Sequence, residues 1–105
     1  QLKRNVFDTR SGRFVKNSRP VRMPMHMNIS KLLTSDIRGR EREFTYELFA
    51  TANHIGMANS GHGYSWIKGH DAKTWYLCDD MNVRKADHPA DDNNYMLFYR
   101  QIAAK

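Results

Sequence analysis

Residues 60 to 80 constrain the fold more tightly than any other stretch. Two runs rich in aromatic and β-branched side chains, Ser60-Gly61-His62-Gly63-Tyr64-Ser65-Trp66-Ile67 and Trp75-Tyr76-Leu77-Cys78-Asp79-Asp80, flank the polar segment Lys68-Gly69-His70-Asp71-Ala72-Lys73. That pattern predicts an antiparallel β-hairpin with a longer turn. Symmetric pairing about the turn sets Trp66 opposite Trp75 and Tyr64 opposite Leu77, and brings His62 directly opposite Asp79. Residues so placed share a face, with Cβ atoms roughly 4.5–5.5 Å apart. An imidazole and a carboxylate at that separation can hydrogen-bond, and the acid then fixes the ring's tautomer and favours its protonated form. This is the base-and-orienter half of a nucleophilic triad, without a nucleophile beside it. Cys78 falls on the other face in this register and reads as a small core hydrophobe.

The rest of the chain reads mainly as strands. Leu2 to Phe7 forms a poorly alternating strand, and Asp8 to Asn17, with Ser11-Gly12, a turn-rich charged connection. Val21, Met23, Met25, Met27 and Ile29 alternate with polar residues or Pro24, which predicts a half-buried strand. Pro24 cannot donate to a ladder, so that strand belongs at an edge or carries a bulge there. Ser30 to Ile37 suggests a short helical turn capped by Ser30, and Arg38 to Glu43 a charged linker. Phe44, Tyr46, Leu48 and Ala50 alternate again and lead into Asn53-His54. After the hairpin, Lys85 to Asn94 reads as a polar loop. Tyr95 to Tyr99 is apolar on both faces, which predicts a strand inside the sheet. The sum is about six strands and no long amphipathic helix. A lone sheet must cover its apolar face, so the chain is expected to need a partner, either the rest of its own protein or another chain.

At 105 residues there is room for one domain at most. A content of 40% hydrophobic and 11% aromatic residues speaks against disorder, and no apolar run reaches the roughly 18 residues that span a bilayer. The chain opens on Gln1, which fits a piece of a longer polypeptide. Its single cysteine excludes an intrachain disulfide and suits an intracellular, reducing compartment, cytoplasm or nucleus. No Cys/His spacing forms a zinc motif, and neither a metal nor a cofactor is expected. The net charge of +6 is concentrated in the first 42 residues. A solvated basic face and a charged partner surface explain it equally well, and a nucleic-acid-binding module is the weaker reading.

Six fragments together resemble one family: Leu2-Lys3-Arg4; Lys16-Asn17 with Val21, Pro24 and Met27-Asn28-Ile29-Ser30; Tyr46-Glu47-Leu48 with His54-Ile55-Gly56; Gly61-His62; Trp75 with Asp79-Asp80 and Val83; and Tyr95-Met96-Leu97-Phe98-Tyr99. In order and spacing they resemble the C-terminal, histidine-box part of the catalytic domain of ubiquitin-specific proteases, the cysteine deubiquitinases. The resemblance covers nearly the whole of residues 1–105. It implies a mainly β, α+β arrangement: an antiparallel sheet forming the palm half of a papain-like fold, with the cysteine on a helical thumb that this chain lacks. It implies His62 as general base, Asp79 as its orienter and Asp80 as a neighbouring polarising acid. His54, Ser60, Gly61, Gly63 and Tyr64 would lie along the groove for the C-terminal tail of ubiquitin. The chain alone would then be inert. Two departures stand out: Gly63 replaces a tyrosine that walls the tail channel, and Asn5 replaces a phenylalanine. They keep open an alternative, a catalytically inactive protease-like scaffold in a larger assembly, a ribonucleoprotein among the candidates.

Overall fold

A computed structural model describes residues 1–58, 60–90 and 92–102. Eight strands form two antiparallel sheets: β1 (Asn5–Asp8) and β2 (Arg13–Lys16) pair with each other, and β3 (His26–Asn28), β4 (Thr45–Met57), β5 (Ser60–Lys68), β6 (Trp75–Asp79), β7 (Asn82–Ala86) and β8 (Asn94–Gln101) make a six-stranded sheet. Its order is β3-β4-β5-β6-β7, with β8 on β4. Among the described residues, helix is confined to two 3-10 turns, Ser30–Leu32 and Glu41–Phe44. The expected antiparallel, mainly β palm-like sheet is what the chain forms.

Strand β4 is the backbone of the sheet. It pairs with β5 from Ala50 to Met57, with β8 from Tyr46 to Asn53, and with β3 at Thr45 to Glu47. The core lies on one face, where Met23, Leu48, Trp66 and Trp75 are buried and Met25, Tyr64, Leu77, Ala86, Leu97 and Tyr99 pack around them.

Several local expectations need correction. The connection from Asp8 to Asn17 is a hairpin: Asp8 O accepts from Gly12 N–H at 2.9 Å and Gly12 sits at φ +69°, so the turn closes and Arg13–Lys16 pairs back. The methionine stripe keeps its alternating burial, but only His26–Asn28 joins a ladder. Upstream, Pro24 has no N–H to give, and its carbonyl accepts from Tyr99 Oη at 2.7 Å. Ser30 does not cap its turn; the Asn28 carboxamide accepts the Ser30 N–H at 2.9 Å. Lys85 and Ala86, the start of the expected polar loop, belong to strand β7 (Asn82–Ala86), joined to β6 by a two-residue turn in which Asp80 has φ +52°. Strand β8 has β4 as its only ladder partner among the described residues, so its apolar faces do not make it an inner strand. Tyr95 O accepts a single bond from Leu2 N–H at 2.8 Å on its flank.

The hairpin register is shifted by two. Trp66 faces Leu77 and Lys68 faces Trp75. The cause lies in the turn. The Asp71 carboxylate accepts from the backbone N–H groups of Lys73 (3.0 Å) and Thr74 (2.9 Å) and from the Thr74 hydroxyl (2.5 Å), which withdraws residues 73 and 74 from the ladder. Those three bonds hold the Asp71 carboxyl down to about 2. Pairing therefore begins at Lys68 and Trp75.

Candidate active site

Because the shift is even, it leaves every side chain on the face expected for it. Extending the observed register sets Asp79 opposite Tyr64, with His62 a diagonal neighbour on the same face, a separation long side chains span. His62 Nε2 and Asp79 Oδ1 do form a hydrogen bond. The expected contact is present, reached across the diagonal.

The chemistry of that bond fixes the ring. A carboxylate accepts only, so Nε2 carries the proton and Nδ1 is left for a third group; Nδ1 has no bond to any described residue. The hydrogen bond donated to Asp79 raises the His62 pKa above the ordinary imidazole value, helped by the charge of Asp79 and, more weakly, of Asp80. Both side chains of the pair are about half exposed (46% and 44%). The pair is thus open to solvent. Asp80, in the β6–β7 turn, completes a compact trio with it, the ligand atoms all within 4.8 Å of one another. One cation could touch all three groups, though two of them already hold each other.

Tyr64 shares the dyad's face and lines a cleft of about 300 Å³ with Ile55, Trp66, Leu77 and Asp79. Arg84, which no sequence signal singled out, borders the same cleft. Ser60 and Gly61 open β5 at the sheet's tip, exposed beside Met57 and Gly56. His54 pairs with Gly63, and both side-chain directions leave the reverse face of the sheet. Cys78 pairs with Ser65 on that reverse face and cannot reach His62.

Buried polar groups support the site, and no periodicity pointed to them. Asn53 is 1% exposed; its carboxamide accepts from Thr51 Oγ1 at 2.7 Å and donates to Asp92 O at 3.0 Å, holding the β7–β8 loop beside the cleft. Arg4 grips the start of β8 through Asn94 O (2.9 Å) and Asn94 Oδ1 (2.8 Å).

A family model described as ubiquitin carboxyl-terminal hydrolase matches residues 1–99. Ubiquitin carboxyl-terminal hydrolase 9 of Arabidopsis thaliana is 31% identical over 98 residues, covering 89% of this chain and 10% of that protein. Ubiquitin carboxyl-terminal hydrolase 27 of Homo sapiens is 41% identical over 61 residues, covering 56% of this chain and 14% of the relative. A chain of the yeast SAGA DUB module superposes with a TM-score of 0.81 at 24% identity, over 100% of this chain and 23% of its own length. The same values hold for a SAGA DUB module bound to monoubiquitin. These structures share the fold, and this chain spans only a small fraction of each relative's length. It belongs to the ubiquitin carboxyl-terminal hydrolase family, as a member of its ubiquitin-specific protease class of cysteine deubiquitinases.

Proposed function

We propose that this chain supplies the proton-handling half of a thiol-dependent ubiquitin-specific protease, which hydrolyses the isopeptide or peptide bond after the C-terminal glycine of ubiquitin. The observation that carries the reading is the His62–Asp79 hydrogen bond made through Nε2, because it leaves Nδ1 free to face a thiol. The thiol would come from a thumb segment elsewhere in the protein. It gives its proton to Nδ1, and the thiolate attacks the carbonyl carbon. The tetrahedral intermediate then collapses as His62 passes that proton to the departing lysine amine. Water, deprotonated by the same ring, hydrolyses the resulting thioester. Asp79 keeps the ring in register throughout, and Asp80 adds negative charge that favours the imidazolium. The ubiquitin tail would run along the start of β5, past Ser60, Gly61, Gly63 and Tyr64, with His54 behind that strand. The free thiol of Cys78 suits a reducing intracellular compartment, and no helix among the described residues is long and apolar enough to cross a membrane.

The test is a ubiquitin probe with an electrophilic C-terminus, added to the intact protein. A covalent adduct is expected; no adduct, where a control protease labels fully, would retire the enzyme reading.

One observation favours the alternative of an inactive scaffold. A Cβ at Gly63 would meet only Asn53 O, at 3.8 Å, so packing does not demand glycine there. The sheet has room at position 63, on the face of His54, for the tyrosine that the resemblance implies, and this chain does without it. An intact protein that binds ubiquitin yet resists the probe would support that reading.

A further inference from the structure

The strongest observation outside the dyad lies directly behind it. Gly61 precedes His62 and has φ +152°, a conformation that favours glycine. Its ladder partner Gly56 has φ +115°. A Cβ on Gly61 would stand 2.2 Å from Ile55 O and 2.7 Å from both Cε1 and Nε2 of His54. The His54 ring therefore occupies the place a side chain of residue 61 would take. That ring is itself fixed. Lys16 Nζ donates to His54 O at 2.5 Å and lies 3.2 Å from Nδ1, which must then be the unprotonated nitrogen, because an ammonium cannot accept. The His54 N–H donates to Asn93 O at 2.9 Å. Lys16 in turn stands at the base of the β1–β2 hairpin, close enough to Arg4 for the two like charges to act on each other.

We propose that His54, held by Lys16, is a positioning residue: from the reverse face of the sheet its ring fixes the backbone at Gly61, and so the reach of His62 toward Asp79. This rests on the proton-handling role proposed for His62. The groups facing His62 are Asp79 and Asp80; those facing His54 are Lys16 and, behind it, Arg4. Neither acid touches His54, so an effect of His54 on His62 has to travel through the strand.

Histidine titration by NMR on the intact protein tests it without any catalytic assay. In His54→Ala the His62 midpoint is expected to fall toward the ordinary imidazole value of about 6.5. His54→Phe, which keeps a flat ring against Gly61, should restore the native midpoint. Met25→Ala, a core truncation remote from the dyad, should leave it in place. An unmoved His62 midpoint in folded His54→Ala, or an equal fall in Met25→Ala, would overturn the proposal. If His54→Ala does not fold, Lys16→Met reads the same loosening, and an unchanged midpoint there overturns it as well. In the intact protein His54→Ala should lower kcat severalfold. Full activity after His62→Ala would refute the catalytic reading and leave the titration result standing, so the two failures are distinguishable.

Discussion

At the scale of single residues, one hydrogen bond sets the electrostatics of the site. Asp79 raises the His62 pKa, so the folded chain binds that proton more tightly than the unfolded chain does. The stabilisation is fully present below about pH 6.5 and is lost as pH rises through the raised value. In Asp79→Asn the His62 midpoint should move down toward the ordinary value, and this part of the pH dependence should vanish from denaturation curves; an unchanged midpoint would mean that the bond does not persist in solution. The glycines on either side of His62 should behave oppositely. Gly61→Ala places its Cβ 2.2 Å from a backbone oxygen at a left-handed φ and should destabilise the chain by more than about 2 kcal/mol. Gly63→Ala meets ordinary contact and should stay within about 0.5 kcal/mol of native. Urea denaturation of the two variants gives both numbers.

Two polar devices hold the elements in register. Asp71 builds the β5–β6 turn, and Glu47 ties β4 to its neighbours through Arg100 (2.9 Å) and Lys68 (3.5 Å). Arg100 depresses the Glu47 pKa most, with Lys68 assisting against the cost of partial burial. A depressed carboxylate stabilises above its unfolded pKa of about 4.3, and the contribution is lost as pH falls through the folded value. Glu47→Gln should therefore remove about 1 kcal/mol at neutral pH, and the gap to native should close in acid. Asp71→Ala should speed amide exchange at Lys73, Thr74 and Gly69, whose bonds close the turn. The Asp71 turn also explains where sequence reading stopped. Alternation in Tyr64-Ser65-Trp66 and Trp75-Tyr76-Leu77 sets which face each side chain takes, so the His62–Asp79 contact was legible. The register was not, because it depends on how one aspartate folds the intervening loop. Strands β2 and β7 were missed because Arg13–Lys16 and Asn82–Ala86 are exposed along most of their length and leave no period of two. Asn53, Asn94, Lys16 and Arg4 were missed as supports because most of their partners are backbone groups or side chains far away in sequence.

The molecule as a whole is a slab. Its extents are 51 × 36 × 16 Å and its radius of gyration is 16.8 Å, against about 13 Å for a compact globule of this length. One sheet with a thin covering cannot do otherwise, and Phe7, Phe14, Ile55 and Met57 remain exposed at the hairpin and the tip of β4. The catalytic reading requires a second layer that carries a thiol to the open side of His62. The decisive measurement is the rate at which the intact protein cleaves a ubiquitin conjugate, with and without the His62→Ala substitution. A loss of roughly 10²–10⁴-fold is expected for removal of a general base. Equal rates for the two proteins would contradict the account.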